Sequence, residues 1–300
     1  MMAVSPHEQS GCGCPLHARR LFTGLLATGA LASPALALAQ QPEEGVRGDV
    51  GRTSRFAKLV PAEQVEGAAA QQYLSMLRQA GSQRALAGPE HPQVVRLRAI
   101  ARRIIPFTPP WNPRAQQWRW EVNLLMTKEL NAFCMPGGKI AFYFGILQKL
   151  QLSDDEVATI MGHEVAHALR EHARERMGKT VATRGAVELG SLLLGLGNTG
   201  RAIADMGGQL LTLKFSRDDE TEADIVGMDL AARAGYDPGA GITLWQKMLA
   251  ANKGAPPEFV STHPAGDTRI KDIQAKLAKV QPIFARAPRP ERRYAPPPVA

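Results

Sequence analysis

Met161-Gly162-His163-Glu164-Val165-Ala166-His167 is the stretch on which the reading of this chain turns. In a helix, residues four apart lie one turn above each other on the same face, so both imidazoles reach a single ion. Glu164, directly after the first histidine, is then close enough to take a proton from a water held at that ion. Three fixed residues in five recur by chance, so the flanking sequence has to supply the helix. Ser153 and Glu156 form a capping-box pattern, with Leu152 and Val157 placed as the two halves of a hydrophobic staple. From there Val157, Ile160, Met161, Val165, Ala168 and Leu169 recur at helical spacing, which predicts a helix through to about Arg174. His163 and His167 are therefore expected as ligands of a metal.

Upstream, Trp118 to Leu124 alternates apolar and polar residues, the pattern of a half-buried strand. A turn-rich stretch, Asn131 to Gly138, separates it from a second expected strand, Lys139 to Phe144. Two readings of Gly137-Gly138 stand side by side: a tight turn, or a place where a substrate backbone approaches closely. Cys134 reads as a small packed hydrophobe. Further back, Pro61 to Gln79 and a stretch opened by His91-Pro92 read as helices, with His91 as a cap or surface residue. These elements predict an α+β fold, mainly helical, with a small sheet ahead of the metal-binding helix.

A catalytic zinc takes three protein ligands and keeps a fourth position for water. His172, five residues after His167, falls off the ligand face of a continuous helix and is expected to be solvated. Arg217 to Asp224 opens another helix, predicted to run to about Ala234. On it Glu220 and Asp224 share a face continued by Gly227 and Ala231, small enough to let it pack closely on the metal helix. Asp224 is then placed to orient a histidine. Asp218, Asp219 and Glu222 are expected to be solvated charges at the helix start. Spacing narrows the acids without choosing the ligand among them. Between the two helices, Gly190 to Gly208 reads as a flexible helical connection, too interrupted to span a bilayer.

The chain has 300 residues, 44% hydrophobic and 21% charged, which suits one domain with tails. The net charge of +8 is scattered, without aromatic-basic interleaving, so a nucleic-acid partner is not expected. Peripheral attraction to an anionic membrane surface stays open. Residues 1–39 read as an export signal: Arg19-Arg20, of twin-arginine type or the charged start of an ordinary Sec signal, an apolar run, and Ala37-Leu38-Ala39 as cleavage site. Left uncleaved, that segment would be an anchor. Residues 40–57 are expected as a linker, 58–281 as the metallopeptidase domain, and the Pro-rich tail 282–300 as disordered or extended.

Taken together, the motifs resemble the gluzincin zinc metallopeptidases of the HtpX and CAAX prenyl protease type, nearest the periplasmic BepA- and LoiP-like branch. The shared marks are Asn131-Ala132-Phe133 with Pro136-Gly137-Gly138, then His163-Glu164-x-x-His167, Glu220-x-x-Ala223-Asp224, and Ser261-Thr262-His263-Pro264 with Arg269-Ile270. The resemblance selects Glu220 as the third ligand of one Zn2+ per chain. It implies that His263 sits near the metal and can hold the site closed, with Arg269 a possible stabiliser of the oxyanion. A peptide would be held as an added strand near Gly137 and Gly138. The expected activity is an exported, periplasmic endopeptidase of unfolded or misassembled envelope proteins, acting by Glu164-assisted attack of zinc-bound water. The alternative is a chaperone-like quality-control module with a latched zinc site. Unlike its integral-membrane members, the chain shows no membrane-spanning run. It also lacks a lipid-anchoring cysteine after the cleavage site and trailing tetratricopeptide repeats.

Overall fold

The computed structural model describes residues 45–193, 210, 214–251, 258–263 and 267–299. The expected signal segment, and residues 194–208 of the expected flexible connection, lie outside these residues. The described elements are α1 (Ala62–Ser82), α2 (Pro92–Ile104), β1 (Glu121–Leu125), β2 (Ala132–Met135), β3 (Lys139–Tyr143) and α3 (Phe144–Lys149). They continue with α4 (Asp154–Leu169), α5 (His172–Leu193), α6 (Arg217–Arg233), α7 (Ala240–Ala251), α8 (Glu258–Thr262) and α9 (Asp267–Arg286). The fold is α+β and mainly helical, as the sequence predicts.

The sheet has the order β1-β3-β2, with β1 parallel and β2 antiparallel to β3. Its two faces bury different cores, as the two-residue period of a strand requires. Ile140 and Phe142 of β3 join the main core with Leu97, Ile100, Ile160 and Val226, whereas Ala141 joins a smaller one with Val65, Ala69 and Tyr73 of α1. Part of Asn131–Gly138, read as turn, is the edge strand β2. Its four residues are too few for alternation to stand out from the flanking turn residues.

Helix α4 lies at the centre, packed against α2, α6, α7 and β2. Its N-terminus carries the predicted capping box: Ser153 Oγ accepts from Glu156 N at 3.3 Å, and Glu156 Oε2 accepts from Ser153 N at 2.8 Å. Its C-terminus comes earlier than the apolar pattern suggests. Asn112 Nδ2 donates to the carbonyl of Leu169 at 3.0 Å, and Glu171 takes φ +59°, which ends the helix before α5 restarts at His172. Where α6 crosses α4 the backbones nearly touch. A Cβ on Gly227 would sit 2.6 Å from His163 N, and one on Gly162 2.6 Å from Gly227 O.

At both flanks the folded region reaches further than residues 58–281. Residues 45–57, read as linker, fold onto the domain: Val46 is fully buried in the main core and Ala57 is buried too. The tail, expected as disordered or extended, is helical to Arg286 and extended after it. Helix α9 runs on to Arg286, burying Val280 and Ile283, and the extended segment after it is held by polar contacts. Gln93 Nε2 donates to Ala295 O at 3.1 Å, Gln151 Nε2 to Pro297 O at 2.8 Å, and Tyr294 N to Asp154 Oδ2 at 2.8 Å. Prolines donate nothing from the backbone, but their carbonyls accept, so Pro297 still contributes beside Ala295 O and Tyr294 N.

Candidate metal centre

Helix α4 presents His163 and His167 one turn apart, both 3% exposed, with their Nε2 atoms 3.0 Å from each other. The close α4–α6 crossing brings Glu220 from the first turn of α6. Its carboxylate oxygens lie 3.5 Å from His163 Nε2 and 3.5 Å from His167 Nε2. His263, just after α8, adds a fourth donor: its Nδ1 stands 2.9 Å from Glu220 Oε1 and 3.2 Å from His163 Nε2. One donor atom from each of these four buried residues lies within 4.8 Å of the others. Glu164 lies alongside, 2% exposed, with His263 Nε2 3.4 Å from its Oε1, an oxygen without a hydrogen-bond partner among the described residues.

Each ligand candidate is held from behind. His163 Nδ1 meets Asp224 Oδ1 at 2.9 Å. Arg269 binds Asp224 through Nε at 2.7 Å and Nη2 at 2.6 Å, binds Glu220 through Nη1 at 2.8 Å, and stacks 3.8 Å from the Trp245 ring. Its nitrogens are thus engaged with the carboxylates behind the donors, where the resemblance suggests an oxyanion contact. His167 Nδ1 meets His172 Nδ1 at 2.8 Å, and the ring of Phe215 stacks on His167 with centroids 4.0 Å apart.

His172 is 1% exposed, not solvated, because the break at Glu171 turns it back onto His167. Its Nε2 lies 2.8 Å from Glu222 Oε2, and Arg170 Nη2 takes Glu222 Oε1 at 2.8 Å. Glu222 is therefore paired and not a free surface charge, and Asp219 is buried in the capping box of α6; Asp218 is exposed, as expected. His172, Glu222, Arg170 and Phe215 are the site neighbours that sequence reasoning missed. The only legible signal was the recurrence of His, Glu and Arg near the motifs.

Burial and charge set the protonation of this cluster. Burial alone would lower His163, but the carboxylates of Asp224 and Glu220 outweigh it and hold its pKa up at about 9. Burial, with the charge of His163, pushes His167 well below its ordinary value. Glu164 is raised by burial. Burial would raise both Glu220 and Asp224, but His163 and His263 lower the former, and Arg269 and His163 the latter.

The cleft over these donors is lined by Asn131–Pro136, Glu164, His167, Ala168, Phe215 and His263, among others. Gly137 and Gly138 form the β2–β3 turn at φ +84° and +76°, with Gly138 against Trp120, and are not among its lining residues. Cys134 is buried in β2 and its thiol is raised by burial. No helix among the described residues is long and apolar enough to cross a membrane.

Comparison with known proteins adds relatives. The mitochondrial metalloendopeptidase OMA1 of Schizosaccharomyces pombe is 34% identical over 194 residues, covering 64% of this chain and 55% of that protein. The beta-barrel assembly-enhancing protease of Escherichia coli is 27% identical over 174 residues, 55% of this chain and 36% of its own length. Metalloprotease LoiP of Escherichia coli is 28% identical over 156 residues, 51% of this chain and 61% of its own length. The chain thus spans between about a third and two thirds of the length of these relatives. The family model of Peptidase family M48 matches residues 93–277, which hold every donor described above, and the chain belongs to that family.

Proposed function

We propose that this chain is an exported, zinc-dependent endopeptidase acting on unfolded or misassembled proteins of the cell envelope. The observation that carries the reading is the convergence of His163, His167 and Glu220 beside Oε1 of Glu164, which accepts no hydrogen bond among the described residues. The donors fit zinc: their separations run from 3.0 to 3.5 Å. Ligands at about 2.0–2.1 Å in a tetrahedron stand roughly 3.3 Å apart. Two imidazoles and one carboxylate form a donor set of catalytic zinc. When bound, zinc would supply a Lewis acid that polarises the scissile carbonyl and acidifies the attacking water.

Glu164 takes the proton of that water and delivers it to the leaving amine, a role suited to a carboxylate raised by burial. Asp224 and Arg269 hold the donors. The edge of β2 that faces the cleft pairs with no strand among the described residues, so an extended peptide can add there through backbone bonds that ignore side-chain identity. That suits unfolded segments. Export follows from residues 1–39 as read from the sequence, and the similarity to LoiP and the beta-barrel assembly-enhancing protease supports an envelope setting. The OMA1 relatives are named as mitochondrial, so location is tested separately, by fractionation.

A second reading is favoured by His263, which stands where the open position would be. In it the site rests latched and the protein binds misfolded partners with marginal proteolysis. Cleavage of an unfolded protein by wild type, Glu164→Gln and His263→Ala, each checked for zinc, separates the two. Activity in wild type, lost in Glu164→Gln with zinc retained, supports the peptidase. Activity that appears only in His263→Ala supports the latch. Full zinc with no cleavage by any variant overturns the peptidase reading.

A further inference from the structure

His172 and Glu222 have no part in the chemistry above, yet they are packed onto the back of His167. The hydrogen-bond chain fixes where each proton lies. Glu222 gives one carboxylate oxygen to Arg170 and the other to His172 Nε2, and a carboxylate only accepts. A His172 with a single ring proton therefore carries it on Nε2 and has a bare lone pair on Nδ1. That Nδ1 lies 2.8 Å from His167 Nδ1, so His167 is the donor there and keeps its own proton on Nδ1. The Nε2 of His167, which faces His163 and Glu220, is left with its lone pair outward.

From this geometry we infer that His172 and Glu222 are positioning residues that set the tautomer of His167, so that its Nε2 is always free to bind metal. The inference rests on the zinc reading of His167 and extends it to a relay that starts on α6 and passes through the first residue of α5. Neutral histidine places its proton on either nitrogen, and only one of the two tautomers offers Nε2 as a ligand. Partners behind a metal ligand fix such choices and orient the ring. The break at Glu171 is what permits the relay, because a continuous helix would carry His172 away from His167.

Glu222→Gln tests the relay without removing bulk. Arg170 can only donate, so it draws the amide oxygen, and the amide NH2 then faces His172 Nε2. His172 must accept there, move its proton to Nδ1 and donate to His167 Nδ1. The proton of His167 is thereby displaced onto Nε2, the nitrogen aimed at the metal.

The experiment reads the histidine nitrogens of the metal-free full chain by NMR and zinc affinity by competition with a chromogenic chelator. Wild type is expected to show His167 protonated on Nδ1. Glu222→Gln is expected to move that proton to Nε2 and weaken zinc by about 10–100-fold. Adding Arg170→Met frees the amide to turn over and is expected to restore most of the affinity, a rescue that loss of packing would not show. A wild-type His167 protonated on Nε2 overturns the inference without any variant. So does a Glu222→Gln protein that keeps the wild-type tautomer and affinity. Wild type that shows the expected tautomer but binds no zinc overturns the zinc reading instead.

Discussion

His163 and His167 leave one helix a turn apart and aim at the same point, but they are supported from opposite sides by different chemistry. Behind His163 stands a charge in direct contact, Asp224, itself clamped by Arg269. Behind His167 stands the imidazole of His172, and the charge of Glu222 lies one ring further away. In the metal-free protein the first arrangement holds His163 protonated, with a pKa of about 9, and the second leaves His167 neutral. On the proposed zinc reading, two identical residues in one motif therefore play unequal parts: one must lose a proton to bind metal, the other only needs its lone pair aimed.

The largest effect separates both supports from the chemistry itself. Glu164→Gln is expected to lower cleavage of an unfolded protein by roughly 10²–10⁴-fold while zinc binding stays as in wild type. A variant that loses zinc along with activity would show that Glu164 belongs to the support on one side or the other.

The next tests address the supports. Asp224→Asn is expected to weaken zinc by about 10–100-fold, toward the upper end because it also releases Arg269. If the loss is smaller than that caused by Glu222→Gln, the direct contact is not the stronger of the two holds. Gly227→Ala loads only the His163 side, since its Cβ would meet His163 N at 2.6 Å. Overpacking there is expected to cost about 1–3 kcal/mol in thermal or denaturant unfolding. An unchanged midpoint would mean that the crossing yields.

The smallest effect is set by pH. Because His163 is raised above its ordinary value, its ion pairs stabilise the metal-free fold fully below pH 6.5, and that contribution is lost as pH rises through about 9. Melting of the metal-free protein should therefore decline across that window. For the same reason zinc binding at pH 7 should release about one proton from the ligand histidines, that of His163, beside any given up by the acidified water, measurable by calorimetry in buffers of different ionisation enthalpy. A His167 found doubly protonated by NMR of its ring nitrogens at pH 7 would remove the asymmetry.

Local patterns determined much of this molecule. The capping box at Ser153, the helical recurrence from Val157 and the period-2 strand before it are contacts within a few residues, so the sequence displays them directly. The pairing of Glu220 and Asp224 on one face, with Gly227 continuing it, was also legible, because helix periodicity is a local property. The family marks fell in the segment that the Peptidase family M48 model matches.

What lay beyond the sequence came from contacts between distant segments. Glu171 takes a left-handed conformation that no glycine announces, and so the helix of the motif ends early and His172 swings back into the site. Arg269 binds carboxylates 45 and 49 residues away, and in doing so is drawn behind the donors. The tail from Pro282 looks unstructured by composition, but its carbonyls find Gln93 and Gln151 from other elements. A histidine's place in the motif is set by the period of its own helix. Which of its nitrogens faces the ion is decided by whatever the folded chain packs behind it.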